Sequence, residues 1–323
     1  AGDPGGARGR TAGRGARSRG LNAHDRRPAA TVGHNLRMPL PIRSTLPLLA
    51  LVVALASACT SPSPVAAPSA DAAAGAAQAR RTLAPTGRLR VAVYRGSPSS
   101  MLDGPTPEAT RGVGWDLGRE MARRLGVPFE PQVFARNAEA LAAIRAGTAD
   151  VIFTNASPER ARDMDFSPTF VDVEKSFLVP AGSPLATLAD LQRPGVRIGV
   201  SQGSSTESEL RPDYPRARLL PAPTLQAAAA MLADGRLDAF ATNKAILFEM
   251  SDGLPGSRVL AGHWGMEHFA AGIPKGRDAG RAFVGAFIAA AVRDGVVARA
   301  IERAGLRGTV AAQVAAQVAV AAR

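Results

Sequence analysis

Apolar positions in this chain fall into short runs divided by polar, Gly and Pro residues, and the runs alternate between two periods. Leu89–Tyr94 predicts a strand. Trp115–Leu125 has its apolar residues at helical spacing. Val127–Phe134 reads as a strand, Ala138–Ala146 as a helix stopped at Gly147, and Asp150–Thr154 as a short buried strand. A second set follows. It has a short helix at Leu185–Leu191, a strand at Val196–Val200, a helical turn at Ser204–Leu210 and a strand at Arg218–Pro221. It continues with a helix at Leu225–Ala233, a buried strand closing Gly235–Ala241, a helix at Lys244–Met250 and a strand at Arg258–Ala261. Strands alternating with helices predict an α/β fold. Two further extended segments, Ser176–Pro180 and Phe269–Ile273, bracket the second set and run into Pro/Gly turns. They predict two lobes joined by two hinge crossings, with helices from Asp278 to Ala304 returning to the first lobe. The expected division is lobe 1 over 87–178, lobe 2 over 179–267 and the lobe 1 return over 268–306.

The ends follow other patterns. Residues 1–37 hold eight Arg against two Asp and show no apolar periodicity. They read as a disordered segment or as translation upstream of a start at Met38. Residues 38–59 have the layout of a secretory signal: Arg43, an apolar run from Leu46 to Ala56, then Ala-Ser-Ala-Cys59. Cys59, the only cysteine, stands where a bacterial lipobox carries its lipidated thiol; the plainer alternative is an ordinary small-residue cleavage site. Residues 60–86, rich in Ser, Pro and Ala, predict a flexible tether. The run 307–323 is an Ala/Val-rich tail, too short and too polar for a membrane span.

The net charge of +12 changes little. Residues 1–37 carry +6 and Arg43 another +1, so the remainder carries +5. Its arginines are scattered among acids and lack interleaved aromatics, which excludes a nucleic-acid surface. His263 and His268 have no cysteine or third ligand nearby, so neither a metal nor another cofactor is expected.

Four motifs occur in order. They are Gly114-Trp-Asp-Leu117; Ser157-Pro-Glu-Arg160 with Asp165-Phe-Ser167; Leu188-Ala-Asp-Leu191 followed by Ile198-Gly-Val-Ser-Gln-Gly203-Ser204; and Gly235-Arg-Leu-Asp-Ala239. Together they resemble the bacterial type 2 periplasmic solute-binding proteins of family 3, which include polar amino-acid receptors of ABC importers. The resemblance spans about residues 87–306. It implies the two-lobed periplasmic-binding-protein fold and ligand capture by a monomer through lobe closure.

Ser157 can cap a helix begun by Pro158, placing Arg160 on its first turn. A guanidinium matches a carboxylate bidentately, and the resemblance gives Arg160 that role. It also places Asn155 and Tyr94 at strand ends facing the ligand. The turn Gly203-Ser204-Ser205-Thr206 offers free amides to an anion. Phe153 reads equally as pocket wall or core. The resemblance also exposes a departure. Amino-acid receptors of the family place an Asp where this chain has Asn243, beside Thr242. Without that acid a buried ammonium would lack a partner, so a carboxylated or otherwise anionic small solute fits the visible charges better than an ordinary α-amino acid. Glu209, Asp103 and Glu249 are candidate replacements. Trp264 and His268 could approach the cleft. The expected partners are that solute, a membrane permease, and the membrane itself through Cys59. The alternatives are a sensor for a signalling partner and an exported dehydratase-like enzyme on the same fold.

Overall fold

The computed structural model describes residues 70–310. The signal, Cys59 and the tail beyond Val310 lie outside the described residues. In chain order the elements are α1 (Ala70–Leu83), β1 (Leu89–Tyr94), α2 (Val113–Leu125), β2 (Phe129–Phe134), α3 (Asn137–Arg145), β3 (Val151–Asn155), β4 (Met164–Phe166) and β5 (Val171–Val179). Then come β6 (Arg197–Ser201), α4 (Thr206–Leu210), β7 (Arg218–Ala222), α5 (Leu225–Ala233), β8 (Ala239–Asn243), α6 (Lys244–Asp252) and β9 (Arg258–Val259). The chain continues with β10 (Gly265–Pro274), α7 (Asp278–Arg293), α8 (Val296–Ala304) and β11 (Thr309–Val310).

Among the described residues the strands form one sheet, ordered β2-β1-β3-β10-β5-β8-β6-β7. The protein is an α/β fold. The outer strands on each side are parallel to their neighbours, as β-α-β connections require. The two central strands run antiparallel to theirs. Each central strand changes partner midway. The first part of β10 pairs with β5 and the rest with β3 and β4, while β5 passes from β10 to β8. Together they link an apolar cluster around Leu89, Leu117, Met121 and Phe287 to clusters around Phe177, Ile198, Leu210 and Phe240.

The two sides repeat one device. Asp150 precedes β3, and its carboxylate accepts from the backbone amide of Arg90 at 3.0 Å and from that guanidinium at 2.7 Å. Asp238 precedes β8 and does the same to Arg197, at 2.7 and 2.5 Å. In each case the Asp amide returns a bond to the Arg carbonyl, at 2.8 and 2.9 Å. These acids close the Gly-x-x-Asp turns at Gly147 and Gly235, fixing the register of the strand that follows.

Four expectations need correction. The tether expected over 60–86 is helical from Ala70: α1 buries Ala79 and Leu83 in the first core cluster, with Leu83 against Gly280 of α7. A run of alanines favours helix, and the buried face gives it an anchor. The tail expected from 307 begins with β11, which pairs with Val173 and Asp172 of β5. The helix expected at Leu185–Leu191 is a 3₁₀ turn at Leu188–Gln192, where Asp190 accepts from the amides of Ala186 and Thr187. The central strands are longer than expected. Both begin with mixed polar segments that alternate in burial and show no continuous apolar run.

Candidate functional site

The carboxyl ends of the parallel strands converge on one pocket. Tyr94 ends β1, Asn155 ends β3, Ser201 ends β6 and Asn243 ends β8, and all four line it. Ala135–Asn137 after β2 and Pro223–Leu225 after β7 complete the ring. Ligands of open α/β sheets bind in this position, because loops and helix starts collect at the strand ends.

Arg160 is the buried cation of the cavity. Its Nη1 donates to Thr154 Oγ1 at 2.9 Å and to the Asn155 carbonyl at 3.0 Å. Among the described residues no acceptor is paired with its Nε or Nη2. Neither Glu159 nor Asp163 holds it. Ser157 Oγ accepts from the Arg160 amide at 3.3 Å. The segment makes only one 3₁₀ turn, Arg160–Arg162, where an α-helix is expected. Few residues are available, because Met164 already joins the sheet in β4 beside β10. Ser157 therefore positions the Arg160 backbone and is not among the residues lining the cavity.

Asn155 Oδ1 accepts from the His268 amide at 2.9 Å, so its Nδ2 is the end left for the cavity. The Tyr94 hydroxyl donates to Ser97 Oγ at 3.3 Å, and burial pushes its phenol above the usual range. Opposite stand Ser204, Ser205, Thr206 and Thr242. Ser204 Oγ and Asn137 Oδ1 are buried without a hydrogen-bond partner among the described residues. Gly203, between the lining residues Gln202 and Ser204, is not itself among them. It takes a positive φ of 72°, and a Cβ there would lie 2.9 Å from Ala138 Cβ. Gly203 is where the turn after β6 touches the start of α3, beside a 3.4 Å bond from Arg136 Nη1 to Gln202 Oε1.

Asn243 is committed on both ends. Its Oδ1 accepts from the Ile246 amide at 3.1 Å, capping α6, and its Nδ2 donates to Glu267 Oε2 at 2.8 Å. Glu267 was not among the acids singled out from the sequence, yet it is buried and lines the cavity. Its carboxyl is pushed up mainly by burial, with Arg160, Lys175 and the Asn243 amide opposing. The signal for it was strand period. Glu267 lies in phase with buried Phe269 and Ala271, but the expected strand began only at Phe269. Of the acids considered, Glu209 is paired with Lys175, Asp103 with Arg95, and Glu249 lies on another face.

Trp264 and His268 do not reach the cavity. The Trp264 indole donates to the Ser176 carbonyl, and His268 pairs with Asp172 at 2.7 Å. Phe153 is core, packed edge-on against Phe170. Among the described residues no three His, Cys, Asp or Glu side chains are grouped to hold a metal, and none of their helices is long and apolar enough to cross a membrane.

A family model for bacterial extracellular solute-binding proteins, family 3, matches residues 89–305. The chain belongs to this family. This solute-binding protein is 27% identical over 121 residues to the ABC transporter glutamine-binding protein GlnH of Bacillus subtilis (strain 168). That match covers 38% of this chain and 44% of the relative, so the chain spans less than half of the relative's length. A Streptococcus pneumoniae Canada MDR_19A amino acid ABC transporter substrate-binding protein bound to L-arginine superposes with a TM-score of 0.63. It is 21% identical, and the superposition covers 71% of this chain and 99% of that one. The solute receptor for L-cysteine of Neisseria gonorrhoeae gives a TM-score of 0.62 at 25% identity, covering 70% and 92%. These relatives are binding proteins.

Proposed function

We propose that this protein is the extracytoplasmic substrate-binding component of an ABC importer. It captures a small, polar, carboxylate-bearing solute of the amino-acid type and presents it to a membrane permease. The observation that carries this reading is Arg160. It is a buried guanidinium fixed by Thr154 and Asn155, with its remaining donors left to the cavity. Such a fork is preorganised for a carboxylate. The relatives named for glutamine, L-arginine and L-cysteine support an amino-acid solute.

Under this reading the two sides of the sheet are lobes, and the parts of β5 and β10 that change partner are the hinge. Arg160 and Asn155 on one lobe take the solute first. Ser204, Ser205, Thr206 and Thr242 on the other complete its shell. The contacts of Gly203 with Ala138 and of Arg136 with Gln202 are then closure contacts. Cys59, at the end of the lipobox-like signal, would carry the lipid that keeps the protein at the membrane.

The test is calorimetric titration of the full chain, cleared of carried-over solute by unfolding and refolding, with the twenty common L-amino acids. At least one binds at micromolar affinity or better. Failure of all twenty would reject the amino-acid reading.

A further inference from the structure

We propose that Glu267 is the specificity residue for the α-ammonium of the ligand, supplying from β10 the carboxylate that Asn243 at the end of β8 does not. The proposal rests on the amino-acid reading above and adds to it the group that separates amino acids from simple acids.

The argument is an account of which charges remain for a ligand. Lys175 is buried but already paired with Glu209 and stacked 4.7 Å from the Trp264 ring. Asn243 has given its oxygen to the Ile246 amide and its nitrogen to Glu267. Arg136 also lines the cavity, but it is half-exposed and paired with Glu139. What is left among the described residues is one cation, Arg160, and one carboxylate, Glu267. Both are buried at the same cavity, and no ion pair joins them among the described residues. Glu267 Oε2 is held by Asn243, and Oε1 has no partner among the described residues. Asn243 and Glu267 meet although β5 lies between their strands. The carboxylate is therefore brought beside the position where the sequence shows none.

A buried carboxylate needs a cation or several donors to ionise. A buried guanidinium has the converse need. One small molecule satisfies both when it carries a carboxylate and an ammonium on neighbouring atoms, as an α-amino acid does. A purely anionic solute would satisfy Arg160 and set like charge against Glu267. This reverses the expectation, drawn from Asn243, of an anionic solute.

The experiment uses the full chain. The tightest-binding of the twenty L-amino acids is titrated beside the same molecule lacking its α-amino group, against wild type, Glu267→Gln, Glu267→Asp and the double variant Glu267→Gln/Asn243→Asp. Wild type prefers the amino acid. Glu267→Gln, whose amide oxygen can still accept from Asn243, loses roughly 100-fold or more for the amino acid and nothing for the deaminated acid. The double variant returns the carboxylate to β8, keeps an N-cap residue, and recovers most of the loss. Should Glu267→Gln fail to fold, the shortened carboxylate of Glu267→Asp must still weaken the amino acid selectively. An unchanged preference in a folded Glu267→Gln overturns the proposal and leaves the amino-acid reading intact. Absence of any amino-acid binding to wild type rejects both.

Discussion

Asn243 joins the start of α6 to the carboxylate of Glu267, accepting from the Ile246 amide at 3.1 Å and donating to Glu267 Oε2 at 2.8 Å. One side chain thus serves the fold and the site, and substitutions can separate the two uses. Asn243→Ala removes a helix cap and strands a buried carboxylate. It should lower stability by about 1–3 kcal/mol. Asn243→Ser retains a capping oxygen and should cost less. Denaturant unfolding of the ligand-free variants checks the order. Equal losses would mean that capping contributes nothing.

Arg160 offers a sharper test of the proposed carboxylate subsite. Arg160→Ala should weaken the best amino-acid ligand by roughly 100-fold or more, since the ligand carboxylate would be buried unpaired. Arg160→Lys keeps the charge but loses the planar fork, and its ammonium cannot both hold Thr154 and Asn155 and grip two oxygens. A loss of about 10-fold or more is expected. Calorimetry on both variants, with melting curves to confirm folding, decides the point. Wild-type affinity in Arg160→Ala would remove this residue from the site.

Much of the site was legible in local pattern. Arg160 follows a capping Ser and a Pro after a buried strand, and that short-range grammar places a side chain at a strand end. The α/β alternation was legible for the same reason. What escaped was held by distant partners. β4 and β11 are strands only because β10 and β5 offer edges to them. α1 is ordered because Leu83 finds Gly280 nearly two hundred residues away. Glu267 escaped because an acid in a strand reads as solvent-facing until its phase is set by Phe269 and Ala271. Asn243 misled for the same reason: its meaning depends on a residue twenty-four positions on.

The paired aspartates before β3 and β8 should differ in weight. Asp150 is fully buried and holds two guanidinia, Arg90 at 2.7 Å and Arg277 at 2.9 Å. Asp238 is a third exposed and among the described residues holds only Arg197, which keeps its carboxyl below the usual range. Asp150→Ala leaves two arginines facing an emptied buried site and should cost about 3–5 kcal/mol. Asp238→Ala should cost about 1 kcal/mol. Urea unfolding of both variants provides the comparison. Similar losses would show that burial of the first acid is not what makes it matter.

The raised carboxyl of Glu267 gives the protein a pH signature with a definite sign. Tyr94, Arg160, Lys175, Glu209 and Asn243 face or flank it. Burial dominates, and Glu209 pushes in the same direction. In the ligand-free folded state Glu267 holds its proton to higher pH than in the unfolded chain. Stability from this group is therefore full below the ordinary carboxylate range and is lost as pH rises through the raised value. A bound ammonium favours the ionised form, so binding in that window expels a proton and affinity climbs with pH until Glu267 ionises unaided. Tyr94 stays protonated throughout, because burial moves its phenol further up. Carboxyls held low by arginines, such as Glu120 and Asp238, gain stability as pH rises, so the Glu267 contribution is read as the difference between wild type and Glu267→Gln. That difference in melting temperature should move against wild type as pH rises through the raised value, while the rise of amino-acid affinity should be lost in Glu267→Gln. Titrations in two buffers of different ionisation enthalpy measure the released proton directly. Affinity that is flat across the acid range in wild type would mean that Glu267 stays in one protonation state, free and bound, and does not answer to the charge of the ligand.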